Sequence, residues 1–92
     1  MTIRWTPSAL HDLASLHAHI VQDSPTAADE TVEKVLTGIE ALSRHPEMGR
    51  IGRVAATREL VLPPFVIAYR QRRGAVDILA IIHGARRWPD KF

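Results

Sequence analysis

Seven residues in the second half of the chain carry side chains that together could cleave RNA: Arg58, Glu59, Tyr69, Arg70, His83, Arg86 and Arg87. Attack by a ribose 2′-hydroxyl needs a base for that hydroxyl, an acid for the leaving oxygen and fixed cations for the charge gathering on phosphorus. Glu59 or His83 suits the base, His83 or Tyr69 the acid, and Arg58, Arg70 or Arg86 the cation. Each also has a purely structural reading. Tyr69 with Ile67 can be core, Glu59 can pair with an arginine, and His83 can bond backbone at a strand end.

Other chemistries find less support. Three histidines, His11, His17 and His19, lie close together, but their separations of six, two and eight miss the i,i+3 or i,i+4 spacing of a helical metal pair. They read as surface histidines, with no metal site and no cofactor. Gly49-Arg50-Ile51-Gly52 lacks the lysine and the serine or threonine of a phosphate-binding P-loop and follows no strand. Neither a Gly-x-Ser-x-Gly motif nor a carboxylate pair with an adjacent base is present, so acyl transfer and glycoside hydrolysis are unsupported. With no cysteine there is no disulfide framework, thiolate zinc site or thiol nucleophile, a composition that suits a reducing cytoplasm.

The positive charge is concentrated where the candidate residues lie. Residues 1–49 hold three bases against seven acids, a net of −4, whereas residues 50–92 hold nine bases against three acids, a net of +6. Ten of the twelve bases are arginine, whose planar fork pairs bidentately with carboxylate or phosphate. Nucleic acid or an acidic protein both fit such a surface. The 92 residues suffice for one domain, 1–92, with a small core whose stability a partner could supplement. No stretch of 18 apolar residues occurs, so no membrane association is expected.

These residues must be held by a simple framework. Ile3 to Thr6 reads as a short edge strand stopped by Pro7. Thr6-Pro7 then caps a first helix with an apolar stripe at Leu10, Leu13, Leu16, Ile20 and Val21. Ser24-Pro25 repeats that punctuation before a second stripe of Ala28, Val32, Val35, Leu36, Ile39 and Leu42, which runs to about His45. The short link makes the pair an antiparallel hairpin. Residues 46–57 read as a loop. Glu59 to Leu62, Phe65 to Arg72 and Ala75 to His83 are strand-like, with turns at Pro63-Pro64 and Arg73-Gly74, forming a meander. On the middle strand Val66, Ala68, Arg70 and Arg72 share one face and Phe65, Ile67, Tyr69 and Gln71 the other. Ile78 to Ile82 is apolar at both parities, as in a central strand covered on two faces. The expected fold is α+β, in the order β-α-α-β-β-β: a helical hairpin on one face of a twisted antiparallel sheet, with the other face free to be open and basic.

The ordered runs Trp5 with Ala9-Leu10-His11-Asp12-Leu13, Pro25 with Ala27-Ala28, Pro46 with Gly49-Arg50, Thr57-Arg58-Glu59-Leu60, Val66-Ile67-Ala68-Tyr69-Arg70 and Ile81 to Pro89 resemble the ParE/RelE superfamily of bacterial type II toxins. The resemblance spans nearly the whole chain. It implies the same hairpin-on-sheet fold, growth inhibition, a place in plasmid stabilisation, and neutralisation by an antitoxin that wraps the toxin with an acidic, partly disordered segment. RelE-like members cut mRNA on the ribosome, whereas ParE-like members are linked to inhibition of DNA gyrase.

The residues lean toward the second branch. Lysine is nearly absent, with only Lys34 and Lys91, and the chain ends in Phe92 where RelE-like nucleases often carry a late tyrosine. The Thr57-Arg58-Glu59-Leu60 and His83-Gly84-Ala85-Arg86-Arg87-Trp88-Pro89 runs are closer to ParE. Arg58, Tyr69, Arg70, Arg72, Arg86, Arg87 and Trp88 are the expected contacts for antitoxin or target, Arg70, Arg72 and Arg86 because a basic sheet face attracts an acidic chain, and the resemblance implies DNA gyrase as the target. If the chain is instead an mRNA nuclease acting with the ribosome, Arg58, Glu59, His83 and Arg86 are its catalytic set. A third possibility is a non-toxic module that binds an acidic partner.

Overall fold

The computed structural model describes residues 1–84, 88, 89, 91 and 92. A first strand, β1 (Thr2–Trp5), leads into α1 (Pro7–Val21) and α2 (Pro25–Ala41). Four strands follow: β2 (Arg50–Ile51), β3 (Arg58–Leu62), β4 (Phe65–Arg72) and β5 (Ala75–His83). Both helices start as their sequences dictate. The Thr6 hydroxyl accepts from the Ala9 N–H and the Ser24 hydroxyl from the Ala27 N–H, each with proline at the first helical position. α2 ends four residues before His45, and turns carry the chain to β2.

The strands form one mixed sheet in the order β1-β5-β4-β3-β2. The meander is antiparallel, while β1 lies parallel to β5 at its edge, with Thr2 beside Ala75 and Trp5 beside Ile78. β1 and β5 are separated by the whole hairpin and meander, so the crossover that a parallel pair requires is available. The expected loop 46–57 contains β2, which pairs Arg50 with Glu59 and Ile51 with Arg58. Arg73 and Gly74 turn the β4–β5 hairpin with φ of 53° and 73°, the left-handed pair that matches strand twist.

The helices cover one face. Ala9 and Leu16 of α1 and Val35, Ile39 and Leu42 at α2 pack on Leu60, Ile67, Tyr69, Val76, Ile78 and Ile81. Three residues of the expected stripes point elsewhere: Leu10, Val21 and Leu36 are exposed, while Ala9, whose small side chain lets α1 sit close to the sheet, is fully buried. On the opposite face Ala68, Leu79, Ala80 and Ile82 form a second cluster with Trp88 packed against it. That face is therefore not simply open and basic; its centre is apolar and covered.

A β-bulge explains how β5 serves both layers. The register jumps between Ala68, opposite Ala80, and Tyr69, opposite Ile78, leaving Leu79 as the extra residue. Leu79 and Ala80 are consecutive, yet both join the second cluster, whereas Ile78 and Ile81 both face the helices. Thr6 anchors the bulge: its N–H and its hydroxyl both donate to the Ile78 carbonyl, at 3.2 and 2.7 Å. One residue thus ends β1, caps α1 and fixes the irregular point of β5. Beyond β1, β5 has α1 beside it, and the Asp12 carboxylate accepts the Ile81 N–H at 2.9 Å.

Candidate functional site

Glu59 lies on the second face, directly opposite Ala68 in the ladder. It is 2% exposed, and its carboxylate is saturated by arginine donors. Arg50 donates through Nε and Nη2 to Oε1 at 3.0 and 2.8 Å. Arg53 donates to Oε2 through its backbone N–H at 2.8 Å and its Nε at 3.1 Å. Burial alone would raise the Glu59 carboxyl, but the Arg53 backbone N–H and the two guanidinium groups outweigh it and hold the acid below its ordinary range. A carboxylate stabilised as the anion and filled with donors is a poor proton acceptor. The Arg53 guanidinium also stacks on Trp88, 3.7 Å from the ring centroid, and so links the buried acid to the cover of the second face.

Tyr69 lies in the core with no exposed surface, and this corrects its expected place at a binding surface. Its hydroxyl donates to the Pro46 carbonyl at 2.7 Å and accepts the Gly49 N–H at 2.9 Å, so it pins the segment leading into β2. Burial raises the Tyr69 hydroxyl above its ordinary value, opposed by the Gly49 hydrogen bond and the Arg58 charge. Gly49 is required here, since a Cβ would stand 2.6 Å from the Tyr69 hydroxyl oxygen and 2.9 Å from the Glu59 carbonyl. Arg58 serves the same segment through a 2.8 Å bond to the Gly49 carbonyl.

His83 ends β5 opposite Phe65, whose ring meets its own edge to face at 5.7 Å between centroids. It lines a groove against α1 on the helix side of the sheet, the face opposite Glu59. Arg58, opposite Tyr69, is also far from His83, because Tyr69 is four steps along β4 from Phe65, about 13 Å along the strand. The three described members of the candidate nuclease set are therefore dispersed: Glu59 on one face, and Arg58 and His83 at opposite ends of the other. Arg86 and Arg87, also expected at the site, lie outside the described residues.

The remaining expected contacts are on the second face. Arg4 binds Asp77 at 2.7 Å, and Arg72 approaches the same carboxylate at 3.8 Å, a cluster at the β1 end of the sheet. Arg70 lies between this cluster and Ala68. Its Nε and the Trp88 Nε1 are buried and have no hydrogen-bond partner among the described residues. An arginine-rimmed surface around a covered apolar centre results, suited to meeting an acidic protein segment. Among the described residues no group of three histidines or carboxylates could hold a metal ion, and no helix is long and apolar enough to cross a membrane.

Sequence reasoning missed Arg50 and Arg53 as the partners of Glu59, because the pairing depends on the two-residue strand β2. It also missed the convergence of His11 and His19 with His83 on one groove. Their eight-residue separation is near two helical turns, a signal that both lie on one side of α1.

Comparison with known proteins names the class that this fold defines. Residues 3–88 match the family described as the ParE toxin of type II toxin-antitoxin system, parDE, and the chain belongs to that family. A putative toxin of Sinorhizobium fredii, Y4kP, is 44% identical over 89 residues, covering 95% of this chain and 92% of that protein. The toxin RelE2 of Caulobacter vibrioides is 38% identical over 82 residues, covering 89% and 93%. A solved structure of the chromosomal ParDE TA system from P. aeruginosa contains a chain that superposes with a TM-score of 0.80 at 27% identity, covering 90% of this chain and 95% of that one.

Proposed function

We propose that this ParE-family toxin disables its target by protein–protein contact, without a chemical step of its own, that DNA gyrase is the target, and that a cognate antitoxin neutralises it. The observation that carries the reading is the dispersal of the acid–base candidates: Glu59 is sealed between Arg50 and Arg53 on one face and His83 lies on the other. Proton transfer needs base and acid within hydrogen-bond reach of one substrate. The P. aeruginosa relative in structure comes from a ParDE system, which supports an antitoxin partner for this chain too. Arg70, Arg72 and Arg86 are its proposed contacts, since a basic sheet face attracts an acidic segment and speeds its encounter.

Purified toxin at micromolar concentration should inhibit gyrase supercoiling and accumulate cleaved-DNA complexes; unaffected supercoiling with no such complex removes gyrase as the target. A second reading is favoured by the relative called RelE2, an mRNA endoribonuclease acting on the ribosome. Under it His83 and Glu59 would share proton transfer while Arg58 and Arg86 held the phosphate, and His83→Ala would slow cleavage by about 10²- to 10⁴-fold. An unchanged cleavage rate would take His83 out of that mechanism.

A further inference from the structure

Five arginines lie on the second face of the sheet, Arg4, Arg50, Arg53, Arg70 and Arg72, and two carboxylates lie among them, Glu59 and Asp77. Four of the five are engaged. Arg50 and Arg53 fill the two oxygens of Glu59, while Arg4 lies 2.7 Å and Arg72 3.8 Å from the two oxygens of Asp77. Arg70 stands directly opposite Asp77 in the ladder, yet that carboxylate turns to the other two, and Arg70 has no acid of its own among the described residues. A guanidinium is always protonated in a protein, so this charge is fixed and uncompensated.

Two recessed donors mark the same place. Arg70 Nε and Trp88 Nε1 are buried and meet no acceptor among the described residues. Trp88 packs on the cluster that includes Ala68, which is two residues along β4 from Arg70 on the same face, about 7 Å away. Neither nitrogen can accept a hydrogen bond, so whatever completes them must bring acceptors. Water would satisfy the hydrogen bonds but not the charge. A carboxylate does both, since its two oxygens match the Arg70 fork and one of them can also take the indole N–H. A nucleic-acid phosphate carries two ribose substituents and is ill-suited to nitrogens sunk beside Ala68, Leu79, Ala80 and Ile82, whereas an aspartate or glutamate reaches them on a slender apolar stem.

We infer that Arg70 and Trp88 form a seat for one carboxylate side chain of the antitoxin, with the indole as its apolar wall. This seat rests on the antitoxin reading given above and deepens it: Arg70, and not the already engaged Arg72, anchors the partner on the arginine face. Both nitrogens are covered in this structure, so seating the carboxylate shifts Trp88.

The test measures the dissociation constant of the full toxin with the full antitoxin from its own operon, by titration calorimetry at fixed pH and ionic strength. Truncating one partner of a desolvated, hydrogen-bonded charge pair weakens a complex by about 30-fold or more, and Arg70→Gln should do so. Arg70→Lys keeps the charge but loses the fork and should still weaken binding by about tenfold. Arg72→Gln should stay within about fivefold of wild type, as for an exposed ion pair. A thermal melt checks the fold of each variant. When each aspartate and glutamate of the antitoxin is changed to its amide and crossed with Arg70→Gln, one acid should emerge whose loss costs little further once Arg70 is gone. With Trp5→Phe in the background Trp88 is the one tryptophan left, and its emission should change on binding. An Arg70→Gln loss no larger than that of Arg72→Gln, the absence of any coupled acid, or an unchanged emission overturns the seat and leaves the antitoxin reading intact. No complex at all overturns both. A short RNA oligonucleotide whose binding depends on Arg70 while antitoxin affinity does not overturns the seat in favour of phosphate.

Discussion

Replacing Glu59 by glutamine keeps the shape of the side chain and removes its charge. Glutamine presents one acceptor oxygen and one NH2 where Glu59 presents two oxygens, so either the Arg50 fork or the Arg53 donors meet another donor. Hydrogen bonds to charged groups contribute about 1.5–3 kcal/mol each, and breaking a fully buried pair costs about 3–5 kcal/mol. Arg50 and Arg53 are about half exposed, at 55% and 46%, so water can take over part of their solvation. A loss of about 2 kcal/mol near pH 7 follows, which for a domain of this size lowers Tm by about 8–16 °C.

The pH dependence separates this account from a simple packing defect. Because Glu59 is held below its ordinary range in the folded state, its contribution is present above the unfolded-state value and is lost as pH falls through the folded one. Urea unfolding of both proteins, followed by far-UV circular dichroism at pH 7 and near pH 3, should show a gap of about 2 kcal/mol shrinking below about 0.5 kcal/mol. A gap under about 0.5 kcal/mol at pH 7, or one of constant size down to pH 3, would refute the reasoning.

Four further outcomes follow. Tyr69→Phe strands the Gly49 N–H and the Pro46 carbonyl and should cost about 1–3 kcal/mol by urea denaturation; since burial raises the Tyr69 hydroxyl, the wild type should lose that advantage as pH climbs past about 10. Gly49→Ala drives a Cβ into the Tyr69 hydroxyl and the Glu59 carbonyl and should destabilise by about 1–3 kcal/mol, whereas Gly38→Ala meets the movable end of Leu62 and should be milder in the same melt. Thr6→Ala removes a helix cap and the bulge anchor together and should cost about 1–2 kcal/mol, with faster amide exchange at Ala9. Association with the antitoxin should weaken as salt rises, and a rate that is flat between low and high ionic strength would count against the arginine face.

Local signals located most of the framework. The Thr6-Pro7 and Ser24-Pro25 pairs mark both helix starts because capping is decided within four residues, and the bounds of β4 and β5 follow from their runs of β-branched and aromatic residues on either side of the Arg73-Gly74 turn. What escaped depends on distant partners. β2 is two exposed residues with no alternation to detect, and only its pairing places Arg50 against Glu59. The double-parity run of β5 marks a strand covered on both faces but also hides the bulge at Leu79, which is fixed by Thr6 from the far end of the chain. Leu10 and Leu36 look like stripe residues by spacing, yet helix rotation is set by where Ala9 and Val35 fit the sheet. Residue types at the candidate site were legible; their separation was not, since the face of a strand residue emerges only when the helices have chosen a side.

The central claim is that toxicity arises by contact and not by RNA cleavage. Its most direct test maps cellular RNA 5′ ends within minutes of inducing this chain without its antitoxin, with the His83→Ala variant beside it. The account predicts growth arrest with a DNA-damage response, messages intact, and no difference in RNA ends between the two proteins. New cuts within translated codons that vanish in the variant would contradict it and establish a ribosome-dependent nuclease.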